Sequence, residues 1–245
     1  MNYPYRHIPI VSPAYRNLRR FVNSRRYAGN NVWCPVCSRS FKSWLNNQSH
    51  GSCPYCRSET RHRITCLYLQ NRYSNTQLPI KLLYFAPHWG LERWLRKQKR
   101  TFSCTTTDLS APNVDVHADI TNLPFKSQSF DLIVCCHVLE HIPNDEKAIS
   151  ELFRVLHNDG TALIQVPCNY SAEYTDEDLS ITDAHEREKR FGQFDHVRLY
   201  GQDIVKRLKL PGFKVEIFRP TRNYTRQENE RLGLWDDAIF VCRKG

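Results

Sequence analysis

The chain has 245 residues, 40% of them hydrophobic and 24% charged, with a formal net charge of +10. That is enough for one α/β domain and a small module. The longest apolar run, near 130–139, falls well short of the ~18 residues a membrane helix needs, and no apolar stretch ahead of a small-residue cleavage site marks a secretory leader.

Residues 1–30 read as a basic arm. Residues 1–63 hold 11 Lys and Arg against one acid, Glu59, while residues 64–245 hold 24 of each sign, so the excess charge sits entirely in the first quarter. Such a head attracts nucleic acid, other anions or an acidic protein surface, or is simply solvated. An arginine-rich start is also a feature of organelle transit peptides, but Pro4, Pro9 and Pro13 interrupt the helix such a peptide needs.

Residues 31–63 carry two Cys-x-x-Cys pairs, Cys34/Cys37 and Cys53/Cys56, 15 residues apart. Two tight turns of this kind aim four thiolates at one tetrahedral ion. Four ligands leave no open position, so a Zn2+ here is expected to be structural, supplying folding energy of about 10 kcal/mol to a segment with few apolar side chains. Such a zinc ribbon serves nucleic-acid binding, protein docking or scaffolding. The other six cysteines are scattered, several in apolar runs, and are expected to be core residues in a reducing, cytoplasmic setting.

Residues 64–245 alternate short apolar runs with amphipathic ones. A helix is expected over 63–73, a strand over 81–86, a helix over 91–99, and a β-branched strand over 101–107 that ends in Asp108. The run 130–136 is apolar enough for a strand buried on both faces of a parallel sheet. Asn144 caps a helix with apolar residues at Ala148, Ile149, Leu152, Val155 and Leu156, closed by Gly160. A strand follows over 161–166, then a polar segment, a helix over 202–210 and strands over 213–218 and 238–242. The alternation predicts an α/β doubly wound sheet, whose ligands bind at the carboxyl ends of the strands. Only Gly90 falls between residues 52 and 159, so neither an intact GxGxxG loop nor a Walker A loop lies in that stretch.

The stretches KLLYFAPHWGLERWL, TTTDL, HADITNLPFKSQSFDLIVCCHVLEHIPND and ELFRVLHNDGTALIQVP resemble class I S-adenosylmethionine-dependent methyltransferases. With the ribbon, SETRHR and FGQFDHVRLYG, the chain is similar over residues 32–245 to a subgroup carrying an N-terminal four-cysteine zinc ribbon. The resemblance implies a Rossmann-like seven-stranded sheet over 64–245 with a lid-like segment at about 169–200. It also implies that backbone groups of Ala86, Pro87, His88 and Gly90 hold the methionyl part of S-adenosylmethionine. Asp108 would accept from both ribose hydroxyls, Asp119 from the adenine amino group with Ile120 against the ring, and His137 would line the pocket. Both acids are expected to be buried. Tyr84, Ala86 and His88 depart from the family's acid-and-glycine pattern and narrow the turn.

Methyl transfer is an in-line displacement that needs alignment and exclusion of water. Phe85 and Trp89 are candidates to face the sulfonium. His196, oriented by Asp195 or Asp183, is the candidate base for a hydroxyl acceptor, and Arg61, His62 and Arg63 are candidates for an anionic one. The leading expectation is O-methylation of a small molecule or glycan. The alternatives are an RNA or protein methyltransferase gripping its substrate through residues 1–63, and a non-catalytic ribbon protein.

Overall fold

The computed structural model describes residues 13–47, 51–235 and 237–244. The first twelve residues of the arm, with Pro4 and Pro9, lie outside the described residues. Pro13 opens helix α1 (Pro13–Arg26) instead of interrupting one, because the first helical position needs no N–H. Strands β1 (Val32–Cys34) and β2 (Arg39–Phe41) pair as a short antiparallel hairpin. Helix α2 (Thr60–Tyr73) follows. It starts ahead of the expected residue 63, with the Glu59 N–H held by His62 Nδ1 at 3.1 Å.

A seven-stranded sheet comes next, with the helices α3 (Trp89–Lys97), α4 (Asp145–Val155) and α6 (Ile204–Lys209). Its strands are β3 (Ile80–Phe85), β4 (Phe102–Asp108), β5 (Val116–His117), β6 (Phe130–Cys136), β7 (Leu156–Gln165), β10 (Phe213–Phe218) and β11 (Ile239–Lys244). The spatial order is β10-β11-β7-β6-β3-β4-β5. The pairings from β7 to β5 are parallel, and β11 runs antiparallel to both its neighbours. Strand order therefore reverses between β3 and β6, which opens a crevice at their carboxyl ends.

Alternate strand residues feed two cores. Leu82, Tyr84, Leu132, Val134 and Leu163 join one cluster with Cys34, Phe41, Trp44, Cys56, Ile64 and Leu91. Leu83, Phe85, Ile133, Cys135 and Ile164 join the other with Ile149 and Leu152 of α4 and Ile204 and Leu208 of α6. The ribbon is thus one wall of the sheet's own core.

The end of α4 also differs from the sequence reading. Helix α4, capped by Asn144 Oδ1 on the Lys147 N–H at 2.9 Å, ends at Val155, and Leu156 already belongs to β7. Phe130 faces Leu156 while Leu132 faces Thr161, so residues 157–160 form a bulge. Gly160 belongs to that bulge and does not cap the helix.

The polar segment 169–200 folds as β8 (Asp176–Glu177), α5 (Ala184–Phe191) and β9 (Arg198–Leu199), with β8 and β9 antiparallel. Asp183 Oδ1 caps α5 on the His185 and Glu186 N–H groups, and Gly192 ends it at φ 87°. Helix α7 (Arg226–Leu232) precedes β11. Among the described residues no helix is long and apolar enough to cross a membrane.

Candidate active site and metal-ligand cluster

At the end of β3, Ala86 takes φ 45°, a left-handed conformation that bends the chain sharply off the strand. The Tyr84 hydroxyl, buried beneath, accepts from the His88 N–H at 3.0 Å. Tyr84 therefore does a structural job at the position where the family pattern has an acid. His88 Nδ1 accepts from the Leu91 N–H at 3.4 Å and caps α3.

Gly90 answers to the ribbon. A Cβ there would lie 3.0 Å from both Cβ and O of Cys56. Trp89 also turns toward the N-terminal side, 6.2 Å from the Tyr55 ring with the Arg20 guanidinium 3.5 Å over its face. Phe85 is buried in the second core. Neither aromatic is positioned as the expected face for a sulfonium.

Asp108, half-buried at the end of β4, accepts from the Ser110 N–H at 2.9 Å and the Ala111 N–H at 2.8 Å through Oδ1 alone. Oδ2 takes no hydrogen bond among the described residues, which leaves an acceptor open to a ligand. Asp119 is exposed rather than buried, and its Oδ1 accepts from the Thr121 N–H and hydroxyl at 2.8 and 2.9 Å. Ile120 beside it is buried. At the end of β6, His137 takes φ 54°. The expected positions therefore fall at the carboxyl ends of β3, β4 and β6 and, for Asp119 and Ile120, just after β5. The acids there are more open than expected, because strand-end loops face solvent.

The four cysteines converge, their sulfurs all lying within 4.8 Å of one another. Cys34 and Cys56 Sγ are 3.6 Å apart, and Cys37 and Cys53 Sγ 3.7 Å. Ligands ~2.3 Å from a tetrahedral ion stand ~3.8 Å apart, so the sulfur cage fits Zn2+. Each pair sits in a turn closed by an N–H to the first cysteine carbonyl, from Ser38 at 2.8 Å and Arg57 at 3.0 Å. Both closing residues are left-handed, at φ 56° and 61°. Ser58 Oγ, 3.1 and 3.3 Å from Cys34 and Cys56 Sγ, supplies a hydroxyl to the sulfurs.

Of the three basic residues after the ribbon, only Arg61 lines the cleft. Arg63 is fully buried and donates to the Ser58 and Gly233 carbonyls at 2.6 Å each and to Gly51 O at 3.1 Å, with Trp44 stacked at 4.1 Å. It bolts the ribbon to the C-terminal segment. His62 is stacked on His88 at 3.9 Å, and burial holds both below the usual histidine range, His88 at about 4.

A cavity of about 360 Å³ opens beside His137, lined among others by Arg61, Cys168, Tyr170, Trp235 and Asp237. Arg61 is ion-paired to Glu59 at 2.7 Å. Behind His137 lies a buried polar cluster. Glu140 is completely buried and neither carboxyl oxygen has a hydrogen-bond partner. Burial pushes its carboxyl up to about 8 and pushes His137 down to about 3. Glu140 Oε1 is 3.4 Å from His137 Nδ1 and 4.0 Å from His196 Nε2.

His196 is buried, is oriented through Nδ1 by the Phe191 carbonyl at 3.0 Å, and packs edge-on to His141. Asp195 faces His141 Nδ1 at 3.4 Å rather than His196, and Asp183 is spent on capping α5. The expected base thus sits one layer behind the cavity wall, and neither expected acid orients it.

Glu140 and Arg198 carried no signal in the sequence reading. Arg198, also buried, donates to the carbonyls of Leu139 and Pro143 at 3.0 Å each and to Glu177 Oε2 at 2.9 Å. A residue type that is almost always solvated, set inside FDHVRLYG, was the only hint.

Comparison with known proteins agrees with this layout. A methyltransferase-domain family model matches residues 92–164. A probable S-adenosylmethionine-dependent methyltransferase of Mycolicibacterium smegmatis is 30% identical over 106 residues, 43% of this chain and 37% of that protein. The chain spans 21% and 37% of the length of the curated relatives it matches. Among solved structures, the [4+2]-cyclase SpnF superposes with a TM-score of 0.55 at 16% identity over 94% of both chains. The Burkholderia thailandensis 1,6-didemethyltoxoflavin-N1-methyltransferase, solved with S-adenosylhomocysteine, gives 0.51 at 14% identity over 75% of this chain and 78% of its own. These structural likenesses concern the fold. Family match and strand order agree: residues 92–164 match a methyltransferase-domain model and lie within a Rossmann-like seven-stranded sheet.

Proposed function

We propose that the protein is an S-adenosylmethionine-dependent methyltransferase of the subgroup with a four-cysteine ribbon, acting at oxygen on a small molecule or glycan held in the cavity beside His137. The observation that carries this reading is the 360 Å³ cavity lined by His137 after β6 and by Val166, Pro167 and Cys168 after β7, at the carboxyl ends of a sheet whose strand order reverses between β3 and β6. A pocket of that size encloses a small acceptor. S-adenosylmethionine supplies an activated methyl group on a sulfonium. The backbone of Ala86, Pro87 and His88 holds its methionyl part, Asp108 Oδ2 its ribose, and Asp119 with Ile120 its adenine. Gly90 contributes by letting the turn approach the ribbon.

The base role moves from His196 to His137, the histidine that lines the cavity. Burial pushes Glu140 up to about 8 and His137 down to about 3, so both are neutral near pH 7 and His137 stands at the cavity wall as a neutral imidazole, with Glu140 Oε1 3.4 Å from its Nδ1. His196 and Asp195 support that pair from behind. Arg61 gives an anionic acceptor a cation. Zn2+ on Cys34, Cys37, Cys53 and Cys56 stiffens the ribbon under the cofactor turn. None of the ten cysteines is joined in a disulfide, in keeping with the proposed reducing, cytoplasmic setting. The proposed domain division is the arm 1–30, the ribbon 31–63 and the methyltransferase unit 64–245.

Helix α1 favours a second reading, an RNA acceptor gripped by the basic head, because it presents Arg19, Arg25 and Arg26 with Leu18, Phe21 and Val22 exposed. Transfer of labelled methyl groups from S-adenosylmethionine into fractionated metabolite, glycan and RNA pools tests both. Label in metabolites or glycans supports the first reading. Label in RNA, with binding that weakens steeply as salt rises, supports the second. No label in any pool, together with no thermal shift on adding S-adenosylmethionine, would mean a binding protein instead.

A further inference from the structure

Glu140 poses a physical problem that the methyltransferase reading does not solve. A fully buried carboxyl group with neither oxygen partnered is rare, and a group of that kind calls for an ion or a water. The groups nearest it are imidazoles. One ligand atom from each of Glu140, His141 and His196 lies within 4.8 Å of the others.

Both histidines are arranged as metal ligands are. His196 Nδ1 is fixed by the Phe191 carbonyl at 3.0 Å, and Nε2 points toward Glu140 at 4.0 Å. His141 Nδ1 faces the Asp195 carboxylate at 3.4 Å, which leaves Nε2 as its second donor. An outer acceptor on one ring nitrogen sets the tautomer and frees the other to ligate. The backbone reinforces the pairing, since the Val197 N–H donates to Glu140 O at 3.0 Å. An ion with ligands at ~2.1 Å draws its donors to ~3.0–3.4 Å of one another. His141, on a one-turn 3-10 segment (Leu139–His141), is the least buried of the three, so that move falls to it.

We infer that Glu140, His141 and His196 form a second metal site that binds a first-row divalent cation, separate from the four-cysteine cluster. Two imidazoles and one carboxylate suit Mn2+, Fe2+, Co2+ or Zn2+ and leave positions open for water or an acceptor oxygen. The site goes beyond the methyltransferase reading. Its consequence for catalysis rests on that reading: with one Glu140 oxygen on the ion, the carboxylate charge is held 3.4 Å from His137 Nδ1 and fixes that ring at the cavity wall.

The test uses the full chain with its cysteine site loaded with Zn2+. Mn2+ is the probe, because it favours nitrogen and oxygen donors over thiolates. Loss of the free-Mn2+ electron paramagnetic resonance signal on titration should report one Mn2+ per chain. His196→Gln and His141→Ala should each weaken that binding at least tenfold, with the zinc content unchanged at one. His141→Ala keeps the test decisive if His196→Gln fails to fold, since His141 is the least buried of the three. No Mn2+ bound, or binding equal in the wild type and His141→Ala, would overturn the inference. S-adenosylmethionine affinity, measured on the same samples by calorimetry, reports separately on the methyltransferase reading. Cofactor binding with no second metal sinks only the site, and metal binding with no cofactor affinity sinks only the enzyme.

Discussion

Asp108 carries the most specific residue-scale prediction. With Oδ1 committed to the Ser110 and Ala111 N–H groups, only Oδ2 is left for a ligand. Asp108→Asn replaces a charged acceptor by a neutral amide, a loss of about 1.5–3 kcal/mol, so S-adenosylmethionine should bind about 10- to 100-fold more weakly in calorimetry. Undiminished affinity would place the cofactor elsewhere. The His62–His88 stack gives a second prediction. His88 stays neutral in the folded protein down to about 4, whereas an unfolded histidine takes its proton at ~6.5. Between those values the unfolded chain binds more protons, so stability falls as pH drops from ~6.5 toward 4 and levels off below. Denaturant melts of the zinc-loaded protein at pH 7.5 and 5 should show that fall, and His88→Gln should flatten it.

Among elements, the segment 169–200 is anchored rather than loose. Arg198 ties β9 to the carbonyls after the 3-10 turn at Leu139–His141, and Arg207 of α6 bridges Asp145 at 3.1 Å and Glu177 at 2.6 Å. The Tyr200 hydroxyl donates to Asp145 Oδ2 at 2.8 Å. Removing the buried guanidinium strands several carbonyls and Glu177, a cost of about 3–5 kcal/mol. Arg198→Ala should therefore lower stability by about that amount and expose 169–200 to proteolysis. A loss under ~1 kcal/mol would show that the segment is held by something else. That this stretch has strands at all was not visible in the sequence. β8 and β9 are two residues each, too short to establish a period, and they exist because Arg198 and Glu177 pair across them.

At the scale of the molecule, the ribbon and the sheet share one core. Cys34 and Cys56 pack in the same cluster as Leu82, Leu132 and Val241. Gly90 abuts Cys56, and Arg63 reaches across to Gly233, whose left-handed φ of 63° admits no Cβ beside Trp44. If the four cysteines hold Zn2+ as proposed, its chelation should therefore lower the melting temperature of the whole chain in one calorimetric transition and weaken cofactor binding with it. Two separated transitions, with the cofactor site intact in the second, would show an independent ribbon.

Local chemistry determined much of this protein. Two Cys-x-x-Cys pairs, an all-apolar run at 130–136 and a strand–helix alternation each state their structure within a few residues, because tight turns, double-sided burial and helical period are short-range properties. The positions of Asp108 and His137 at strand ends followed from the same pattern, whereas Asp119 was singled out by the family resemblance. Only the tertiary structure decided that Asp119 is exposed, that Arg63 and Arg198 are buried, and that Trp89 faces the ribbon. It alone put His137 on the cavity wall, with Glu140, His141 and His196 behind it. Those outcomes depend on which distant surfaces meet: a charged side chain goes inside only where carbonyls more than 50 residues away in sequence stand ready to receive it, and no window along the chain contains that information.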